Sequence, residues 1–327
     1  MTRPIVVTGA AGFIGTNVVR ALNAAGREDI IVVDELGSDQ KWRNLSDQAF
    51  ADYVDLHEFR DRALLDDLPE VEAVIHLGAC SATTETDADY LADNNYAYSR
   101  DLCEWALRHG VRFVYASSAA TYGDGSRGYS DEHDGTPDLR PLNMYGYSKQ
   151  MFDMWALRKG LLDRIAGVKY FNVYGPYEDH KGDMRSVVHK SYFQIQQTGR
   201  VGLFKSYRNE YPDGGQVRDF VHVDDAVAVT LWLAANPVAN GLFNCGTGRA
   251  RSWLDLAGAV FAALDREPAV DFIDMPEHLK DKYQYHTESD PAKLRAAGYD
   301  RPFLELEDGV RDYVRHYLLE RFPPATP

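Results

Sequence analysis

The chain has 327 residues, 45% hydrophobic and 26% charged, enough for one large core carrying a smaller lobe. Thirty-five basic against fifty acidic residues leave a formal charge of −15, and no basic run or aromatic-basic interleaving offsets it. That excludes nucleic acid and anionic membrane as partners, so an anionic ligand must be met by a local cluster.

The first elements are legible in chain order. Ile5 to Thr8 reads as a strand, and Ile14, Val18, Val19 and Leu22 then recur at helical spacing after the glycine turn GAAGFIG. Further strands are expected at Ile30 to Asp34, Ala51 to Val54, Ala73 to Leu77, Phe113 to Ser117 and Ile165 to Tyr170, with long helices at Leu91 to Leu107 and Leu142 to Leu157. Strands alternating with helices predict an α/β fold, a doubly wound parallel Rossmann sheet with a smaller C-terminal substrate-binding lobe. Residues 1–173 and 218–247 are assigned to the dinucleotide-binding domain, 174–217 and 248–322 to the lobe, and 323–327 to a Pro-rich tail that frays. Three widely spaced cysteines, Cys80, Cys103 and Cys245, read as free thiols in a reducing compartment. With no leader pattern and no apolar run of membrane length, a cytoplasmic location is expected.

Gly9, Gly12 and Gly15 follow a strand and open a helix, which lets backbone amides approach a pyrophosphate. Asp34 ends the next strand, where an acid meets the adenosine ribose. Asp34 and Glu35 together oppose a 2′-phosphate and favour NAD, whereas Lys41 and Arg43 could receive one, so both NAD and NADP stay open.

Tyr145 and Lys149 lie four apart in PLNMYGYSKQMFD, on one face of a helix and about 5 to 6 Å apart at Cβ. Bringing a tyrosine from about pH 10 toward neutrality takes roughly 4 kcal/mol of preferential phenolate stabilisation, from the lysine, the cofactor's charge and hydrogen bonds. Beside a dinucleotide, such a pair suits hydride transfer at a carbinol. Ser118, at the end of a strand, can orient the sugar oxygen, and Tyr147 points off the shared face to pack or touch substrate. His76 and Cys80 are two potential ligands without a second cluster, so no metal is assigned. The five tryptophans, at 42, 105, 155, 232 and 253, read as core or interface residues.

In that order GAAGFIG, SSAATYG, Tyr145-x-x-x-Lys149 and RDFVHVDD resemble the extended short-chain dehydrogenase/reductases. HLGACSATTE, NNYAYS, YFNVYGPYEDHKGDM, LFKSY, GLFNCGTGRA, KYQYHTESD and LRAAGYDRPF extend the resemblance over nearly the whole chain to the ADP-L-glycero-D-manno-heptose 6-epimerases of that superfamily. The resemblance implies epimerisation at C6″ of an ADP-heptose, a step toward the lipopolysaccharide core, by a homo-oligomer, a pentamer in that family. It also implies one tightly held NADP per subunit. Carried over by position, it gives the cofactor Phe13, Ile14, Asp34, Glu35, Lys41, Leu77, Gly78, Ala79, Cys80, Ser81, Asn94, Lys149, Val173 and Lys181. Ser118, Asn172, Asp183, Lys190, Phe204, Lys205, Ser206, Tyr207, Arg218 and Tyr283 go to the substrate. Tyr145 and Lys181 become the acid/base residues on the two faces of a transient 6-keto sugar.

The chain departs from that pattern at three places. Glu35 stands for an asparagine, Leu56 for a lysine expected nearby, and Asp183 for a small hydroxyl residue; NEYPDGGQ before Arg218 reads as an insertion. A 4-epimerase of another nucleotide sugar is the rival activity. A dehydratase is disfavoured because Ala119 and Ala120 stand where elimination needs acids, and a non-catalytic dinucleotide sensor because the tyrosine and lysine are both present.

Overall fold

Short runs form twelve strands among the residues that this computed structural model describes, 3–280 and 283–324. They are β1 (Ile5–Thr8), β2 (Ile30–Asp34), β3 (Asp52–Asp55), β4 (Ala73–His76), β5 (Arg112–Ser118) and β6 (Ala166–Tyr170), then β7 (Asn172–Tyr174), β8 (Val201–Phe204), β9 (Val217–His222), β10 (Gly241–Cys245), β11 (Ala250–Ser252) and β12 (Val270–Ile273). Seven make one sheet in the order β10-β6-β5-β4-β1-β2-β3, and every pairing in it is parallel. Strand order reverses between β1 and β4, the point where doubly wound sheets open a crevice at their carboxyl edge.

Both faces of the sheet are covered, which is why its central strands are apolar throughout rather than alternating. Val6, Val33, Val74 and Phe113 face Leu102, Trp105 and Phe152, on the helices Tyr98–Arg108 and Met144–Arg158. On the other face Val7, Val32 and Ile75 meet Val18, Val19 and Val227, from the helices Phe13–Ala24 and Val223–Ala235. The strands expected from sequence fall within a residue or so of those observed. The long helix expected from Leu91 instead begins at Ala88 and is interrupted by a π turn, Ala92–Ala97, before continuing from Tyr98. One extra residue in a turn barely disturbs the apolar period, so the sequence pattern does not reveal it.

A second core lies beside the sheet. Tyr192, Val201, Leu203, Val260, Phe261 and Val310 pack together from β8 and the helices Val187–Thr198, Trp253–Ala263 and Leu306–Tyr313. β8 pairs with β12, and β7, β9 and β11 form a three-stranded sheet where the two cores adjoin. The 209–216 insertion folds back on this part: Asp213 accepts from the Ser206 amide at 2.7 Å, and Gly214 N donates to Phe204 O at 3.2 Å. Of the tail expected to fray, residues 325–327 lie outside the described residues. No helix among the described residues is long and apolar enough to cross a membrane.

Candidate active site

A cleft of about 700 Å³ opens at the carboxyl edge of β1, β4 and β5. Its floor is the glycine turn. Gly9 has φ +68°, and a Cβ there would lie 2.7 Å from Gly78 N; at Gly15 one would lie 2.0 Å from Gly9 O. Side chains at either place would push the β1 turn off β4 or off its own helix. The helix Phe13–Ala24 starts at Gly12 with no side-chain cap and no acid in its first turn. Its free N–H groups therefore remain available to an anion, which fits a dinucleotide pyrophosphate.

Asp34 ends β2 beside this turn, nearly buried. Its Oδ2 accepts from Ala11 N at 2.8 Å and its Oδ1 from Lys41 Nζ at 2.9 Å. Glu35, Asp39, Lys41 and Leu56 line the same end, and Arg43 instead stacks on Trp42, 5.5 Å from the ring centroid. Gly9, Gly12, Phe13, Ile14, Gly15, Asp34, Glu35, Lys41, Leu77, Gly78, Ala79, Cys80, Ser81, Asn94, Lys149, Val173 and Lys181 all lie on the walls of this one cleft. Sequence reasoning missed Asn95, which holds the wall after β4 in place. From the π turn its side chain accepts from Cys80 N and donates to Cys80 O, both at 2.9 Å, and donates to Ser148 Oγ.

Tyr145, Lys149 and Ser118 share the opposite wall. Asn143 caps their helix by accepting from Gly146 N at 2.8 Å, and a Cβ at Gly146 would lie 2.7 Å from Ala120 O. That close approach brings the first turn of the helix against the end of β5. Burial pushes the Tyr145 phenol above its ordinary value, while a hydrogen bond with the Ser118 hydroxyl pulls it down. Lys149 is buried and pushed down to about 8, with Asp153 and then Cys80 opposing. Tyr147 is half exposed and absent from the cleft walls.

Lys181 closes the cleft from the other side, in the turn Asp179–Met184, with its Nζ 5.0 Å from the Phe13 ring centroid. Burial pushes its ammonium down and Glu178 pulls it up. The substrate-side residues divide. Ser118 and Asn172 line the cleft, whereas Asp183, Lys190, Phe204, Lys205, Ser206, Tyr207, Arg218 and Tyr283 do not. Lys190 Nζ donates to Asp183 O at 2.6 Å, and Lys205 Nζ and the Tyr207 hydroxyl both reach Asp274 Oδ1, at 3.1 and 3.2 Å.

Arg218 and Tyr283 adjoin the cleft through Trp253, which lines it. Trp253 Nε1 donates to Tyr283 OH at 2.8 Å, and the Arg218 guanidinium lies 5.6 Å from the tryptophan ring and 5.1 Å from the tyrosine ring. Trp253 packs against the second core, as its reading as a core or interface residue expects, and also forms part of the cleft wall. Arg218 is buried, donates only to the Val217 and Gln284 carbonyls, and has no carboxylate partner among the described residues. Its neighbour Asp219 turns the other way and accepts from Thr247, Gly248 and Ser289, tying β9 to the chain after β10. His76, weighed above as a ligand, is a structural histidine. Its nitrogens meet Thr8 Oγ1 at 2.7 Å and Ser99 Oγ at 2.8 Å, and burial lowers it to about 3.

Residues 5–246 match the NAD dependent epimerase/dehydratase family. A protein of Nitratidesulfovibrio vulgaris named ADP-L-glycero-D-manno-heptose-6-epimerase is 58% identical over 97% of this chain and 99% of its own length. One of the same name from Fusobacterium nucleatum is 46% identical over 96% and 98%. Among solved structures, the Helicobacter pylori ADP-L-glycero-D-manno-heptose-6-epimerase superposes with a TM-score of 0.80 at 26% identity, covering 96% of each chain. A Thermus thermophilus UDP-glucose 4-epimerase in complex with NAD gives 0.76 at 28%, covering 96% and 98%. A nicotinamide dinucleotide is accordingly the cofactor for which this cleft is built. The chain belongs to the NAD dependent epimerase/dehydratase family and, within it, to the ADP-L-glycero-D-manno-heptose-6-epimerases.

Proposed function

We propose that this protein interconverts ADP-D-glycero-β-D-manno-heptose and ADP-L-glycero-β-D-manno-heptose by oxidation and re-reduction at C6″. The observation that carries the reading is a single cleft whose walls hold the glycine turn, the Tyr145, Lys149 and Ser118 trio and, across from them, Lys181. A bound nicotinamide ring supplies the hydride acceptor and donor. Tyr145 exchanges the proton of the sugar hydroxyl at one face, with Ser118 hydrogen-bonded to it and orienting the oxygen. Lys149, buried beside the tyrosine, supplies a positive charge that favours the phenolate and holds the cofactor's ribose. Inversion requires the ketone to present its other face, and Lys181 serves that orientation as its own proton partner. Ala119 and Ala120, on the wall next to Ser118, offer no acid to expel hydroxide, so oxidation leads back to an alcohol rather than to elimination.

The cofactor in this reading is NAD. Asp34, Glu35 and Asp39 face the adenosine end with one ammonium, Lys41, already paired to Asp34, and Leu56 offers no second amine. A 2′-phosphate there would meet more negative than positive charge. Three free thiols suit a cytoplasmic protein, and the pentamer implied by the family resemblance is the assembly we assign to it.

The purified protein is expected to carry a dinucleotide that mass analysis identifies as NAD, and to convert the D-glycero to the L-glycero sugar without added cofactor. Unchanged heptose together with 4-epimerisation of a UDP-sugar would replace this reading with the rival one.

The substrate diphosphate is assigned to Arg218, a buried guanidinium that lies against the Trp253 and Tyr283 rings and whose hydrogen-bond acceptors among the described residues are carbonyls. Charge-assisted hydrogen bonds of this kind contribute about 1.5 to 3 kcal/mol, so Arg218→Ala should weaken ADP binding about tenfold to a hundredfold by calorimetry. Adenosine, lacking phosphate, should bind both proteins alike; an equal loss for adenosine would assign Arg218 to packing.

A further inference from the structure

Behind the catalytic wall lies a buried ion pair that the mechanism above does not use. Lys169 Nζ on β6 and Asp153 Oδ2 on the helix Met144–Arg158 are 2.7 Å apart, their side chains 1% and 0% exposed. Asp153 also accepts from the Tyr115 hydroxyl at 2.9 Å and the Ser117 hydroxyl at 2.8 Å, both on β5. Lys169 donates in addition to Thr121 Oγ1 at 2.8 Å, and Thr121 Oγ1 donates to Ser118 O at 2.7 Å. Lys169 is in register with Ser117 across the β5–β6 ladder, so the network spans both strands and the helix that faces them.

We propose that Asp153 and Lys169 are positioning residues of the reaction, holding Ser118 and the Tyr145–Lys149 face of the helix in one fixed arrangement. The proposal rests on the roles given above to Tyr145, Lys149 and Ser118. Tyr145, Lys149 and Asp153 are spaced four apart, so they form one stripe along the helix. The stripe is anchored at its far end by Lys169 and by β5, while Ser118 is held by the Thr121 hydroxyl on the same lysine. A displacement of either wall by about 1 Å, from a change remote from the chemistry, can cost on the order of a hundredfold in rate.

The carboxylate has an electrostatic consequence as well. The titratable or charged groups facing Lys149 are Tyr145 and Asp153 on its own helix, His76 on β4 and Cys80 just after it, with Lys169 on β6 behind Asp153. Burial lowers the lysine, and Asp153 is the first of the groups that raise it. Removing the carboxylate therefore lowers Lys149 further, so that its ammonium is lost at a lower pH.

Removing one partner alone would strand a buried charge and threaten folding, whereas replacing both by apolar residues of similar volume is often tolerated. The test is therefore the double variant Asp153→Leu/Lys169→Met, alongside Thr121→Val, which keeps both charges and removes the hydroxyl that bridges Lys169 to Ser118. The double variant should hold its dinucleotide and keep KM within about threefold, lose kcat by about a hundredfold, and show the alkaline limb of its rate profile at lower pH. Thr121→Val should lose kcat about tenfold with that limb unmoved. Unaltered kcat in Thr121→Val, or a double variant whose rate falls with no movement of the alkaline limb, would overturn the proposal. The unaltered enzyme, run in parallel, reports separately on the activity itself.

Discussion

Tyr145→Phe is expected to lower the rate of epimerisation by about 10² to 10⁴-fold while the dinucleotide stays bound. Phenylalanine keeps the ring that lines the cleft and deletes only the hydroxyl, so folding and the opposite, glycine-turn wall should be untouched. The size of the effect follows from the electrostatics of the wall. Burial raises the phenol, and the Ser118 hydroxyl is the neighbour that pulls it back. In the proposed mechanism the hydroxyl delivers a proton to a carbonyl oxygen, which the phenylalanine variant cannot do. Chromatography of the two ADP-heptose epimers, with the bound dinucleotide measured on the same sample, checks both halves of the expectation. A rate within about tenfold of the unaltered protein would remove Tyr145 from the chemistry.

The dinucleotide side of the cleft was largely legible in the sequence because its determinants are local. A strand, a glycine turn, a helix and a second strand ending in an acid lie within the first 34 residues, and each is set by short-range rules of backbone space and apolar period. The strands of the sheet were legible for a related reason: covered on both faces, β1, β2 and β4 carry no polar alternation that could suggest another element. The substrate side was not legible in the same way. Trp253, Gln284 and Thr287 reach the cleft from segments far apart in the chain, brought together where β9 meets β11 and the strand-like stretch near Tyr285. Periodicity carries no trace of such a meeting. Asn95 escaped notice because its function depends on the π turn that aims it at Cys80, and Asp153 because its partner, Lys169, sits in the middle of an otherwise apolar strand. The family resemblance implied Phe204 to Tyr207, Arg218 and Tyr283; Arg218 and Tyr283 pack against Trp253, which lines the cleft, and none of the six is itself on its walls.

Lys181 gives the second large effect. Lys181→Met should lower epimerisation about 10² to 10⁴-fold, a loss comparable to that of the tyrosine variant, because in the proposed mechanism each residue serves one face and neither can replace the other. The physical case is that the ammonium is partly buried on the cleft wall and depressed by desolvation, with Glu178 the group that raises it and the Phe13 ring near it. A lysine so placed releases and recovers a proton more readily than an exposed one. Lys181 lines the cleft and methionine has nearly its length without the charge, so dinucleotide binding should be preserved. Lys181→Arg separates the two ways a cation could act there. Arginine keeps the positive charge but does not give up its proton in a protein, so a purely electrostatic role would survive the change and a proton-transfer role would not. The expected result is that both variants are impaired to a similar degree, and an arginine variant retaining full activity would reduce Lys181 to a source of charge. The two faces supply a finer readout. If Tyr145 and Lys181 each serve a different orientation of the sugar, Tyr145→Phe and Lys181→Met should each still reduce the bound dinucleotide with one epimer but not the other, and the permitted epimer should differ between them. The same epimer oxidised by both variants would place the two residues on one face and leave inversion without its second proton partner.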